Sequence, residues 1–419
     1  MAEINEKYIK IDTPNTTLLY EIKHAHTNPL WDNNQFRVFL EPVYYGKKLM
    51  TDKNFEILHT KTHTFNTSVS CFGNFDHRSP LILLENSDGS LVSDFSFEEA
   101  RILPPQPLEG LPFAHNGKET IEFIYKDSLQ DLKLINSITV FSDSDVIASC
   151  YRLENLSSST VQINRLMSLQ LDLFGTQYTM ISFDGWWGRE RARNERKLGI
   201  GVSITESICG VSSHAHNPFF ILKDDRWGNY YAFNLIYSGN HKESVEISPY
   251  NAARILVGMN DMSFSYALKP KETFQTPQAI FVYAESEAQL TTQMHNFVRR
   301  HIVKEQHTNS RRPIVVNNWE ATYFNFTRDK ILSIAQAGAN LGAELFVLDD
   351  GWFSTRDNAC SGLGDWTDNT TKTGGLAELA LQIRAMGLKF GIWIEPEMVN
   401  PKSNLYMQHP EYASLIPGR

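Results

Sequence analysis

Long apolar runs are missing from these 419 residues, although 42% of them are hydrophobic. No stretch approaches the roughly 18 consecutive apolar residues of a spanning helix, which argues against a membrane partner. Basic tracts are missing too: 39 Lys and Arg stand against 48 Asp and Glu, a net charge of −9. Binding to a phosphate backbone needs clustered cations, so nucleic acid is not expected as a partner. Cysteine is scarce. Cys71, Cys150, Cys209 and Cys360 have no metal-knuckle or redox spacing, and four thiols make no disulfide scaffold in a chain of this length. The opening MAEINEKYIKIDTPNTT carries charges throughout and no apolar core, so no secretory signal is read there. Isolated, mostly buried thiols in a reducing cytoplasm are the expectation. The histidine pairs His24/His26 and His214/His216 lack a carboxylate or cysteine at ligand spacing, so neither a metal nor a cofactor is expected.

What is present falls into two grammars. From residue 5 to about 285 the apolar period is near two. Segments such as Thr17–Ile22, Leu132–Phe141, Ile147–Leu153, Val161–Leu173 and Gln278–Tyr283 are broken by turn-formers such as Asn116-Gly117 and Lys269-Pro270. Many short strands between turns predict a large antiparallel sandwich over 1–285. Residues 286–312 hold Leu290, Met294, Phe297 and Ile302 at helical spacing and are expected to form a helical linker. From Pro313 the pattern changes. Short apolar runs at Ile314–Asn317, Leu345–Leu348 and Leu388–Ile394 alternate with helical segments at about Arg328–Leu341 and Leu376–Met386. Apolar strands alternating with amphipathic helices predict parallel βα units. The expected fold is therefore multidomain, a β-sandwich followed over 313–419 by βα units of a barrel.

Three polar clusters follow those three apolar runs, at the strand ends where barrel active sites are built. They are NNWEATYFNF with Asn317, Asn318, Trp319, Glu320 and Tyr323; LFVLDDGWF with Asp349 and Asp350; and GIWIEPEMVNP with Trp393, Glu395, Glu397 and Asn400. Carboxylates accept hydrogen bonds from vicinal hydroxyls, and indole faces pack on the apolar face of a pyranose, so a sugar site is the functional reading. Each cluster also has a bland reading. The aspartates could be turn-formers before Gly351, and the glutamates could anchor loops. The doublet remains the most telling feature, because two like charges after a buried strand need cationic or hydroxyl partners.

LFVLDDGWF, with NNWEATYFNF before it and GLKFGIWIEPEMVNP after it, resembles the α-galactosidases of glycoside hydrolase family 36. FGNFDHRSPL, DGWWGRERARNE and GVSSHAHNPFFIL are similar to that family's N-terminal supersandwich in order and spacing. The resemblance covers nearly the whole chain. It implies a β-supersandwich followed by a (β/α)8 barrel, and retaining hydrolysis of terminal α-galactosides of the raffinose type. It implies that Trp319, Asp349, Asp350 and Trp393 bind galactose. It further implies that the full-length form is a homo-oligomer, with Asp76 and Arg78 in a sandwich loop that reaches a neighbouring subunit's site. Runner-up readings are a non-catalytic galactose-binding pseudoenzyme, a raffinose-synthase-type transglycosylase and an α-N-acetylgalactosaminidase.

The catalytic pair is a separate matter. Retaining chemistry needs a nucleophile and an acid/base carboxyl. The resemblance puts the nucleophile in a Lys-Trp-Asp motif after the fourth strand and the acid/base near the sixth, and neither motif occurs here. Residues 313–419 number 107, whereas an eightfold barrel takes roughly 250. Residues 313–419 are therefore expected to hold the first three βα units, with the catalytic pair beyond Arg419. The isolated chain is expected to lack turnover.

Overall fold

The computed structural model describes residues 2–26, 36–50, 55–58, 66–73, 76–127, 129–416 and 418. Part of FGNFDHRSPL (Asn74 and Phe75) and the side chain of His26 lie outside the described residues. The chain divides into two compact units, Met1–Thr308 and Asn309–Arg419.

Among its described residues the first unit contains twenty strands, and every pairing between them is antiparallel. Ala2–Ile4, Tyr8–Asp12, Thr16–His26 and Phe36–Lys47 make a four-stranded meander. A large sheet runs in the order 189–197, 178–186, 216–224, 230–236, 278–284, 144–155, 132–141, 119–127, 96–103. A third sheet is centred on Val161–Phe174 and Ala252–Met259.

The strand Gln278–Ala284 shows how the period of two divides the core. Ala279, Phe281 and Tyr283 join the main cluster with Phe123, Tyr151, Leu169 and Val257, whereas Ile280 and Val282 point the other way. Successive side chains of a strand leave on opposite faces, so a strand buried on both sides must be apolar throughout. Ile280 and Val282 meet Val146 and Ala148 from the neighbouring strand and Leu290, Met294 and Phe297 from the helix Glu287–Phe297. That helix begins at Ser286, whose Oγ accepts a hydrogen bond from the Gln289 amide at 3.3 Å. It continues as a wider π-helical turn through Ile302, where buried His301 bonds the His115 carbonyl at 2.8 Å. The segment expected to be a linker is thus one wall of the first unit's core, because Leu290, Met294 and Phe297 share one helical face. The boundary falls after Thr308.

In the second unit three parallel strands, Val315–Asn317, Leu345–Leu348 and Lys389–Ile392, lie side by side in chain order. Helices Arg328–Asn340 and Leu376–Ala385 connect them. Phe346 and Leu348 pack against Ile331, Ala335, Leu379 and Ile383, all buried. Val315 and Asn317 point the opposite way and are exposed. The helix Arg328–Asn340 lies close to the first strand: a Cβ on Gly338 would stand 2.8 Å from Val316 Cγ1. Only a glycine permits that approach. Among the described residues no helix is long and apolar enough to cross a membrane. Cys71 and Cys150 are buried, whereas Cys209 and Cys360 are exposed, so the thiols divide evenly.

Candidate sugar site at the parallel strand ends

The first strand ends at Asn317, and two amides there tie it to the second strand. The Asn317 side chain accepts from the Trp319 amide at 2.7 Å and donates to the carboxylate of Asp349. Asn318 is fully buried; its carbonyl oxygen accepts from the Asp349 amide at 2.8 Å and its nitrogen donates to Thr322 Oγ1 at 2.9 Å. An amide with both ends satisfied is one of the few polar groups that burial tolerates. A single helical turn, Trp319–Thr322, follows, and Tyr323 then takes the left-handed region at φ 46°. This turns the chain so that Trp319 meets Tyr323 and Phe324 edge-to-face at 5.2 and 5.0 Å.

The adjacent aspartates have different fates. Asp350 is buried, and Arg356 holds it through Nε at 2.9 Å and Nη2 at 2.8 Å. Arg356 is itself buried. It also donates to the carbonyls of Asn358, Ala359 and Ser361 and to Asn400 Oδ1, with its guanidinium 5.3 Å from the Phe324 ring. Asp349 stays half-exposed, with Asn317 on one oxygen and the Asp350 amide on the other at 2.7 Å. Each carboxylate oxygen has two lone pairs, so Asp349 retains acceptor capacity toward the opening.

Trp393 follows the third strand. Its amide donates to the Leu348 carbonyl and its carbonyl accepts from Trp352 Nε1, both at 2.8 Å. Its half-buried ring lies nearly parallel to Phe353 at 6.4 Å and edge-to-face with Trp366 at 6.5 Å. Beyond it the Glu395 carboxyl is pushed above its ordinary value, first by burial and then by Glu397. Asn400 Oδ1 also accepts from the Leu363 amide at 3.0 Å, which ties this loop to the one after the second strand. With Glu395 near Glu397 and near the buried Arg356 that Asp350 already engages, and with Asp349 half-exposed beside Asp350 in sequence, the site favours a ligand that donates hydrogen bonds and carries no negative charge.

The four residues expected at the sugar site, Trp319, Asp349, Asp350 and Trp393, are linked through this hydrogen-bond and aromatic framework. Asp350 is held by Arg356 through both oxygens, each of which keeps a second lone pair. Arg356 was absent from the sequence reading. Its signal was the requirement that a buried doublet find a cation, but nothing in the loop Ser354–Gly364 picks it out by spacing. Asp76 and Arg78 lie in the first unit, buried in a quartet with Asp172 and Arg254. Arg78 binds Asp76 at 3.0 and 2.9 Å and Asp172 at 3.1 Å, and Arg254 reaches Asp76 at 2.6 Å and Asp172 at 2.8 Å. Two cations and two anions neutralise one another there, so within this chain both side chains are occupied internally. No cluster of metal-ligating side chains occurs among the described residues; His216 instead faces Asp184 at 2.9 Å.

Comparison with known proteins finds the family model of the glycosyl hydrolase family 36 N-terminal domain over residues 39–269 and the melibiase model over residues 273–419. The curated α-galactosidase AgaA of Geobacillus stearothermophilus is 38% identical over 83% of this chain and 49% of its own length. Mel36A of Lactobacillus acidophilus is 35% identical over 84% of this chain and 49% of its own. The chain thus spans about half the length of these relatives. Among solved structures, the α-galactosidase of Lactobacillus brevis superposes with a TM-score of 0.90 at 32% identity, covering 100% of this chain and 58% of that one. Structures of the Geobacillus enzyme in complex with raffinose and with stachyose give TM-scores of 0.89 at 33% and 32% identity, each covering 99% of this chain and 60% of that one.

Proposed function

The chain belongs to glycosyl hydrolase family 36, and from that premise we propose that it supplies the galactose-gripping wall of an α-galactosidase acting on raffinose-type sugars. The observation that carries the reading is the Asn317–Asp349–Asn318 clamp. It spans two parallel strands and presents one half-exposed carboxylate between two half-buried indoles. In this reading Asp349 accepts hydrogen bonds from vicinal sugar hydroxyls, and Trp319 and Trp393 offer apolar faces to the ring. Asp350 acts at one remove, holding the loop in place through Arg356. A site built to bond a particular hydroxyl rejects the epimer lacking it, since its buried groups are then left unpaired. The raffinose and stachyose complexes of the Geobacillus enzyme support the substrate class.

The three strands are read as the start of a (β/α)8 barrel, with Val315 and Asn317 on the face a barrel would enclose. The carboxyl pair of retaining hydrolysis is assigned to none of these 419 residues, and Lys-Trp-Asp does not occur among them. A homo-oligomeric full-length form is consistent with exposed Trp186 and Trp187 at the tip of the hairpin joining strands 178–186 and 189–197. Four free cysteines suit a reducing, cytoplasmic setting.

Calorimetric titration of the 419-residue chain with methyl α-galactoside and methyl α-glucoside tests the reading, alongside a chromogenic α-galactoside assay. Binding that prefers the galactoside, without turnover, is expected. Equal affinity for both sugars, or none for either, overturns it.

A further inference from the structure

The strand Gly201–Glu206 ends the sheet centred on Val161–Phe174 and pairs on one side only, with His241–Ser248. From Leu198 to Ser213 the sole charged side chain is Glu206. Val202 and Ile204 leave on one face of the strand and are exposed, as are Ile200 before it and Ile208 and Val211 after it. Ser203 and Thr205 leave on the other face, where buried Thr205 donates to Glu243 at 3.1 Å and Glu243 holds His241 at 2.9 Å. Those buried bonds pin the register, because a slip of one residue would carry Thr205 outward and Val202 and Ile204 inward.

The outer side of this strand is free. Along an antiparallel pair, alternate residues turn their N–H and C=O groups away from the partner strand. Those of Gly201–Glu206 find no further hydrogen-bond partner among the described residues. A free edge is a template for another strand, and proteins blunt it with shortness, charge or proline. Among the described residues, every other strand that ends a sheet order in the first unit carries such a device. Ala2–Ile4 and Tyr266–Leu268 have three residues each. Arg189–Lys197 is dominated by arginine and glutamate, and Ser96–Leu103 holds Glu98, Glu99 and Arg101. Phe36–Lys47 holds Pro42, and its Leu40 carbonyl already accepts from the Ser68 amide at 2.8 Å. Gly201–Glu206 is six residues long, lacks proline and is uncharged until its last residue.

The edge also complements itself. A twofold axis through Ser203, perpendicular to the sheet, sets the strand antiparallel to its own copy with each face kept on its own side. Val202 then stands opposite the partner's Ile204 and Ile204 opposite the partner's Val202, two β-branched cross-strand pairs of the kind that stabilises a sheet. Glu206 stands opposite the partner's Ile200, so no like charges meet. A twofold contact of this kind closes on itself, whereas pairing with an unrelated patch of the surface would continue into a filament. We propose that two copies of the chain associate through this edge, pairing their Gly201–Glu206 strands antiparallel so that one sheet runs through both. This surface differs from the Trp186–Trp187 tip, and the sugar-binding reading does not enter the proposal.

Sedimentation of the 419-residue chain at micromolar concentrations tests it, and the wild type is expected to self-associate. Two double variants, Val202→Lys with Ile204→Lys and Val202→Glu with Ile204→Glu, place like charges across the axis at positions that are exposed in the single chain. Each alone is expected to halve the sedimenting mass, its dissociation constant rising by about tenfold or more. Mixed in equal amounts, they set lysine against glutamate in both cross-strand pairs and should restore the wild-type mass, which a misfolded variant does not do. Amide exchange over Gly201–Glu206 should slow with rising concentration in the wild type and not in the lysine variant. A monomeric wild type, self-association untouched by either variant, or a mixture that stays dissociated overturns the proposal. In the second case a homo-oligomer built through another surface still stands, so the two readings fail separately.

Discussion

Asn317 donates from its side-chain amide to the carboxylate of Asp349, one residue past the end of the neighbouring strand. The two residues are 32 positions apart in the chain. Their bond lies at the carboxyl ends of two parallel strands, where loops on a rigid scaffold can be aimed at a ligand. Asn317 restrains the rotation of Asp349 while leaving it lone pairs to offer.

Removing that restraint should weaken sugar binding without unfolding the unit. Asp349→Ala is expected to lower the affinity for methyl α-galactoside by about tenfold or more, the worth of a hydrogen bond to a charged group. Asn317→Ala should give a smaller loss, and calorimetric titration of both variants checks the order. If Asn317→Ala binds as wild type does, the clamp has no part in recognition.

Arg356 should matter for stability before it matters for binding. Arg356→Ala leaves the buried Asp350 carboxylate without its cation, at an expected cost of about 3–5 kcal/mol to the second unit. The double variant Arg356→Met with Asp350→Asn should recover a large part of that loss, since it removes the uncompensated charge as well. Urea denaturation followed by tryptophan fluorescence measures both, because Trp352 and Trp393 lie in that unit's core.

The helix Glu287–Phe297 should unfold with the sandwich. Leu290 is fully buried, so Leu290→Ala is expected to destabilise the first unit by about 2–5 kcal/mol. Hydrogen exchange of that helix should track the strand Gln278–Ala284. A helix exchanging freely while the strand stays protected would restore the linker reading.

Asp76 gives the first unit a pH dependence. Burial by itself would raise its carboxyl, but Arg254 and Arg78 outweigh that and hold it below the ordinary carboxylate range. A carboxyl depressed in the folded state stabilises fully above its unfolded pKa of about 3.9, and the contribution disappears as pH falls through the folded value. The first unit of wild type should therefore lose stability below about pH 4, and Asp76→Asn should flatten that part of the curve while lowering the plateau at neutral pH. Circular dichroism melts between neutral and acidic pH test the slope.

Much of this was legible in order along the chain. The period of two marked the strands Leu132–Phe141 and Gln278–Ala284, and the run Leu345–Leu348 lies where a buried parallel strand was expected. The polar clusters could be placed because they follow apolar runs directly. Helical spacing also marked Glu287–Phe297, but spacing states only that one face is apolar. What covers that face is a contact between distant segments, here with Val146 and Ile280.

Sequence by itself therefore determined the strands, the two grammars and the residues collected at the strand ends, since each depends on neighbours a few positions away. Tertiary structure alone decided that Arg356 holds the buried Asp350 and that Asp349 stays half-exposed. It also buried Asp76 and Arg78 against Arg254. Charge pairing and burial are settled by groups that meet only when the chain is folded, and no local spacing encodes that meeting.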